Sequence, residues 1–216
     1  RWFWPGQSGE DIIKRNTIAV APFRHRHHPQ IRQRDTIFRF TARDYGKNHS
    51  AGRWTRLQRL RLDSINAPIQ GHAFGDWWDR YHAEHPEYFA LQPGGGRTGF
   101  PSPGRAKLCQ SNPGVWDQWI AEVKKKRKED PTRTAFSASP NDSWLSGHCY
   151  CERCRSWDHP EAEQRRFRWQ SGSRDYLALS DRHVTFANRL AERLKETFPE
   201  RNLYVVIHAY GHSRPK

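Results

Sequence analysis

A chain of 216 residues is long enough for one sizeable hydrophobic core. Its 37 Lys plus Arg against 23 Asp plus Glu give a formal charge of +14, which raises nucleic acid, anionic polysaccharide or a membrane surface as partners beside the plainer reading of a solvated basic face. Aromatic residues at 13%, with 10 Trp, exclude a chain that stays disordered, and no apolar run approaches the roughly 20 residues of a membrane helix.

The chain begins at Arg1 and contains no Met, so a piece of a longer protein is expected. Residues 1–28 read as a lead-in from a preceding N-terminal domain, with Trp2, Phe3, Trp4 and the turn Pro5-Gly6 ahead of a short strand at 17–20. Residues 29–216 are then the domain proper. A basic, His-rich connector without periodicity covers 23–34. Ile37, Phe38 and Phe40 make 35–40 strand-like. Residues 53–62 read as a short helix with Leu57, Leu60 and Leu62 partly on one face. A second strand over 67–73 runs into Gly71-His72-Ala73-Phe74, and 77–84 form a short aromatic helix. The Gly- and Pro-rich stretch 92–105 is a loop or hairpin. Gly94-Gly95-Gly96 within it lacks the strand–loop–helix context of a phosphate cradle and reads as a plain turn.

The following unit is sharper. Residues 106–110 are a short strand. Asn112 can cap a helix and Pro113 suits its first turn. Val115, Trp116, Trp119, Ile120 and Val123 then recur at helical spacing. The lysine-rich run at 124–128 falls at the end of this helix, where cations suit the dipole. Residues 134–139 form the next strand and end in Pro140-Asn141-Asp142. A long irregular loop is expected over about 143–179. Ser180 or Asp181 caps a second helix, with Val184, Ala187, Leu190, Ala191 and Leu194 on its apolar face and Pro199 past its end. The almost purely apolar 203–209 closes the chain as a buried parallel strand.

Strands and helices alternating at this spacing argue for βαβ units and a parallel sheet. There are about five strand candidates, whereas an eight-fold barrel takes roughly 250 residues. The expected fold class is therefore α/β: a partial (β/α)8 TIM-type barrel, its first five βα units, truncated on the C-terminal side and partnered by its own missing strands. A doubly wound sheet is the alternative, but no dinucleotide fingerprint supports it.

Parallel α/β folds gather function on the loops after the strand C-termini. His72, Asn112, the Asn141-Asp142 pair, and His208 with Tyr210 all fall at such ends. Each also has a structural reading: Asn112 as a helix cap, His72 as a core histidine, Asn141 and Asp142 as turn residues after Pro140. If the barrel holds, all of them face one mouth. A carboxylate there suits acid or electrostatic work on a glycosidic bond, which usually needs two carboxylates. Asp142 is one; the second would come from the missing strands or from the substrate.

Cys149, Cys151 and Cys154 form a C-x-C-x-x-C cluster. This spacing can hold zinc if Cys109, His148 or His159 supplies a fourth ligand. A disulfide or unpaired thiols are the other readings. No cofactor is expected in catalysis.

The hexapeptide Arg1-Trp2-Phe3-Trp4-Pro5-Gly6, with Gly9-Glu10 and Ile13-Lys14, resembles the segment near the N-terminal domain of α-glucuronidase-like proteins. Gly71-His72-Ala73-Phe74, His85-Pro86-Glu87-Tyr88-Phe89-Ala90-Leu91, Leu108-Cys109-Gln110-Ser111-Asn112-Pro113, Ser139-Pro140-Asn141-Asp142, the cysteine cluster and Ser180-Asp181-Arg182 follow in order. Together they resemble bacterial domain-of-unknown-function family 4838 over nearly the whole chain. The resemblance implies a glycosidase-type barrel, often in exported proteins of polysaccharide-degrading bacteria. It places Asp142 where related barrels keep catalytic acids, and His72 and Asn112 at mouth positions that touch a sugar. That family usually has glycines after the Asn-Asp pair, where this chain has Ser143-Trp144-Leu145.

Three functions compete. The first is a glycoside hydrolase in which Asp142 is the acid or polarising carboxylate and His72, Asn112, Asn141 and Tyr210 bind a carbohydrate substrate. The second is a non-catalytic carbohydrate-binding domain, its Trp residues offering stacking faces. The third, a basic nucleic-acid-binding protein using 124–128 and Arg165-Arg166-Phe167-Arg168-Trp169, ranks last, so nucleic acid is not expected as a partner.

Overall fold

The computed structural model divides the chain into two compact units, Arg1–Ile65 and Asn66–Lys216. It describes residues 15–17, 19, 21–24, 71–142 and 145–208. The expected strand at 35–40, the helix at 53–62, most of the strands at 17–20 and 67–73, Ser143, Trp144 and Tyr210 lie outside the described residues.

Within the second unit, α1 spans Trp77–Tyr81, inside the predicted aromatic helix. Trp77 is buried in it and meets Phe74 edge-on at 4.9 Å. Residues 92–96 make the expected turn: Gln92 N–H donates to the Gly96 carbonyl at 3.0 Å. Gly95 and Gly96 take φ of 85° and 75° there, a region costly for any residue with a Cβ.

Helix α2, Pro113–Glu129, starts where its capping signals place it: Asn112 Oδ1 accepts from the Gly114 N–H at 2.9 Å and Pro113 occupies the first turn. Val115, Trp119, Ile120 and Val123 are buried as the period predicts, with Trp116 half-buried. Strand β1, Ala135–Ser137, follows.

The stretch expected as one irregular loop has more order. A short helix α3, Glu152–Arg155, sits in the cysteine cluster. Strands β2, Gln164–Trp169, and β3, Gly172–Leu177, form an antiparallel hairpin with Trp169 opposite Gly172. The hairpin buries Phe167 and Trp169 against Leu179.

Helix α4, Ser180–Thr197, has Leu179 as its cap residue and buries Arg182, His183, Phe186, Leu190 and Leu194. The apolar face is thus rotated from the expected one: Leu190 and Leu194 belong to it, while Val184 is 49% exposed and Ala191 is exposed. The physical reason is that Phe186 fills the core beside Phe74 and Phe136, and Arg182 is drawn inward by a buried carboxylate described below. Helices α2 and α4 pack on each other, and α4 on β4, Tyr204–Val206.

Strand β4 pairs parallel with β1 in the register Ala135↔Tyr204, Phe136↔Val205, Ser137↔Val206. The parallel pairing agrees with the sequence reading, but β4 is half-exposed rather than buried, with Tyr204 at 50%. Residues 106–110, expected as a strand, are buried, but among the described residues they join through one antiparallel bridge from Leu108 to Phe89, and Gln110 already lies in a turn. The architecture is α/β. Among the described residues the strands form two two-stranded sheets, and no closed barrel is seen. No helix among them is long and apolar enough to cross a membrane.

Candidate functional site

Three chain segments end at one edge of the β1–β4 pair. Residues 71–73 run beside the C-terminal end of β1: Ala73 N–H donates to the Ser139 carbonyl at 2.9 Å, and Ser137 Oγ donates to the Gly71 carbonyl at 2.8 Å. On its other flank, Ala138 N–H donates to the Val206 carbonyl at 2.9 Å and His208 N–H to Ser139 Oγ at 3.0 Å. This lacing brings together His72, the Asn141-Asp142 pair and His208.

The His72 ring is fixed in one sense. Its Nδ1 lies 2.6 Å from the Pro140 carbonyl, which can only accept, so Nδ1 carries the proton. Nε2 then points 3.9 Å from Asp142 Oδ1, beyond hydrogen-bond length but within ion-pair range when the ring is protonated. The rings of His72 and His208 meet edge-on at 4.9 Å. The Asp142 side chain is 66% exposed and that of His72 33%, so solutes reach both. A carboxylate and two imidazoles at one solvent-open strand edge can transfer protons and bind hydroxyl groups.

Asn141 is the buried member. Its Nδ2 donates to the Ala106 carbonyl at 2.7 Å and, at 3.4 Å, to that of Gly104, while Oδ1 finds no partner among the described residues. Its amide faces the protein rather than solvent. Asn112 is engaged at both ends of its amide, with Nδ2 donating to the Glu87 carbonyl at 2.9 Å and Oδ1 capping α2. Tyr210 lies outside the described residues.

Lys107, which the sequence reading did not single out, stands beside this edge. It is buried at 4% exposure and its Nζ donates to the carbonyl of Asn141. Burial pushes its pKa down to about 7; the Asp142 carboxylate opposes that fall and Arg105 adds to it. The only signal in the sequence is a lysine inside the otherwise apolar stretch 106–109.

The second cluster is built from the cysteines. The Sγ atoms of Cys109, Cys149, Cys151 and Cys154 all lie within 4.8 Å of one another, and the site is largely buried. Of the three candidate fourth ligands, the structure brings in Cys109. His159 Nδ1 accepts from the Glu161 N–H at 3.2 Å, and the His148 ring packs edge-on against Phe167. Cys109 Sγ is 3.7 Å from Cys151 Sγ and 3.9 Å from Cys154 Sγ, far beyond a disulfide bond, and all four thiols are free. Those spacings match a tetrahedron around zinc, where sulfurs about 2.3 Å from the ion stand about 3.8 Å apart. The N–H groups of Leu91 and Cys154 point at Cys149 Sγ and Cys151 Sγ at 3.3 and 3.4 Å, and without an ion the four thiols split into two that ionise readily and two, Cys149 and Cys154, that hydrogen bonding to Cys109 pushes up. Cys109 is held at about 6, chiefly by its hydrogen bond with Cys149, and Cys151 far below the ordinary thiol range, chiefly by Cys109. Beside them burial opposes the charge of Arg97, but the sulfurs of Cys109, Cys149 and Cys151 more than offset it. The four cysteines could therefore hold a metal ion.

The basic run of β2 offers little stacking surface. Phe167 and Trp169 are in the core, while the largely buried Arg165 pairs with Glu163 and the exposed Arg166 with Asp175.

Comparison with curated proteins and with solved structures returned no match. The sequence profile of one family, described as "Domain of unknown function (DUF4838)", matches residues 4–216. That span takes in the strand-edge residues and the four cysteines alike, and the chain belongs to the DUF4838 family.

Proposed function

We propose that this chain is part of a glycoside hydrolase, with Asp142 as the acid or polarising carboxylate at the strand edge. The observation that carries the reading is the placement of Asp142 beside a tautomer-fixed His72, at the C-terminal ends of parallel segments and open to solvent. Enzymes of α/β architecture set reactive groups on such ends. His72 and His208 would bind sugar hydroxyls, or His72 would share a proton with Asp142. A (β/α)-barrel completed by strands beyond this chain is the architecture in which the second carboxylate would arise. The substrate would be a polysaccharide or glycan. In the same reading the four-cysteine cluster is a structural zinc centre: four protein ligands leave no open position for a substrate or water.

The test is hydrolysis of a panel of aryl glycosides and uronides by the full protein beside its Asp142→Asn variant. Cleavage that falls by a factor of about 10² to 10⁴ in the variant, with folding intact, is expected. Equal cleavage by both proteins would overturn the role of Asp142.

A non-catalytic carbohydrate-binding domain is the second reading. It draws on the fact that Asp142 is the one carboxylate paired with His72 among the described residues. Saccharide binding without turnover by the full protein would favour it.

A further inference from the structure

The cysteine cluster and the Asp142 edge share a short stretch of chain. Residues 107–109 are extended and buried, bridged to residues 88–90 by hydrogen bonds from Cys109 N–H to the Tyr88 carbonyl at 2.8 Å and from Ala90 N–H to the Lys107 carbonyl at 2.9 Å. In an extended segment, positions two apart project to the same face. Cys109 and Lys107 therefore leave one face, and Leu108 leaves the other into the main core. Cys109 reaches the cysteine cluster. Lys107 reaches the Asn141 carbonyl, and Asn141 returns a hydrogen bond from Nδ2 to the Ala106 carbonyl. Asn141 directly precedes Asp142. The segment 88–91 also grips the other side of the cluster, since Tyr150 N–H donates to the Leu91 carbonyl at 2.9 Å and Leu91 N–H points at Cys149 Sγ.

We propose that Lys107 is a positioning residue that couples the zinc-holding cysteine centre to the catalytic edge, so that zinc bound through Cys109 sets the placement of Asp142 relative to His72. The proposal rests on the reading of the cluster as a zinc centre. A buried amino group is a costly way to fill space, and an apolar side chain of similar volume would serve packing alone as well or better. What the amino group adds is a directed bond to one carbonyl, the one that orients the backbone entering Asp142. A thiolate bonded to zinc fixes the position of Cys109 and, two residues away, the origin of that bond. The coupling is reciprocal, as any linkage between two sites must be: loosening the Lys107–Asn141 contact weakens zinc binding.

The experiment uses the full protein, loaded with zinc, in wild-type, Lys107→Met, Lys107→Arg and surface-control Lys195→Met forms. Zinc affinity is read by competition with a chromophoric chelator, and the placement of the edge by the ring-proton NMR signals of His72 and His208. Lys107→Met is expected to release zinc about tenfold more readily, in the usual range for coupled sites, and to shift both histidine signals. Lys107→Arg, which keeps a donor for the carbonyl, is expected to restore most of both, and Lys195→Met to change neither. If Lys107→Met does not fold, the comparison of wild type with Lys107→Arg and of loaded with zinc-stripped wild type carries the test. Zinc bound equally well in all four proteins, or histidine signals indifferent to both zinc and Lys107, would overturn the coupling while leaving the zinc centre intact. Absence of bound zinc in the wild type would remove both.

Discussion

Arg182 and Asp158 form an ion pair whose side chains are 2% and 1% exposed. The contact is two-pronged: Nε donates to Oδ1 at 2.7 Å and Nη2 to Oδ2. Tyr176 Oη donates to Asp158 Oδ2 at 2.7 Å, and Arg182 Nη1 donates to the Cys149 carbonyl at 2.7 Å. The pair therefore ties helix α4, the β2–β3 hairpin and the cysteine segment at one point. Burial works against the guanidinium charge, and Asp158 restores it.

Removing one partner leaves the other charged and buried. Asp158→Ala is expected to cost about 3–5 kcal/mol, and Arg182→Ala a similar amount, while the double variant should cost less than the sum. Urea unfolding midpoints of the two single variants and the double variant check this. Additive losses would show that the pair does not act as a unit.

Asn112 offers a cleaner separation of roles, since its amide is spent on the α2 cap and on Glu87. Asn112→Ala should destabilise the fold by about 1 kcal/mol, and Asn112→Ser should recover the capping share of that loss. Saccharide binding should be unaffected in both. A variant of full stability that no longer binds sugar would instead assign Asn112 to the ligand.

Zinc should depend on four thiols and on neither histidine. Cys109→Ser and Cys154→Ser are expected to lower metal content from one zinc per chain and to reduce thermal stability; His148→Ala and His159→Ala should leave the metal content unchanged. Elemental analysis of the purified proteins decides it, and the four-thiolate charge-transfer bands of the cobalt-substituted protein report the same ligand set. Loss of metal in His148→Ala with the fold retained would put a histidine in the first coordination sphere.

These residues also mark what the sequence could carry. The start of helix α2 was readable to the residue because its signals are local: Asn112, Pro113 and the apolar stripe from Val115 to Val123. Helix α4 was readable in extent but not in rotation, because Arg182 and His183 turn inward only in the presence of Asp158 and the core around Phe186. The β2–β3 hairpin was missed because arginines alternate with its buried Phe167 and Trp169, and the run resembles a basic linker until Asp175 and Gly172 supply partners across the turn. Three of the four cysteines announced themselves by spacing. The fourth, some 40 positions earlier, stood among three candidates that only tertiary structure separates. His72, Asp142 and His208 were singled out by their places at expected strand ends, and the structure brings them to one edge, whereas Lys107 was marked only by its apolar neighbours Ala106, Leu108 and Cys109.

The alkaline limit of stability should be set in part by Tyr81. Its Oη donates to Glu122 Oε1 at 3.0 Å and accepts from Gln118 Nε2 at 2.9 Å. Burial, followed by the hydrogen bond to Glu122, pushes its pKa from 10.0 up to about 12. The folded state therefore holds this proton over a range in which the unfolded chain releases it. Stability from Tyr81 is fully present below about pH 10 and is lost as pH rises towards about 12. Tyr88 and Tyr176 are shifted in the same direction, mainly by burial, so they add to the same limb. Urea midpoints measured from pH 8 to pH 11.5 should fall over the upper part of that range (about one unbound proton's worth of slope per shifted tyrosine). In Tyr81→Phe the fall should be shallower, although the variant starts about 1 kcal/mol lower at pH 8 for want of its hydrogen bonds. An alkaline slope identical in the two proteins would show that Tyr81 loses its proton as readily in the folded chain as in the unfolded one, and that the Glu122 contact does not hold it.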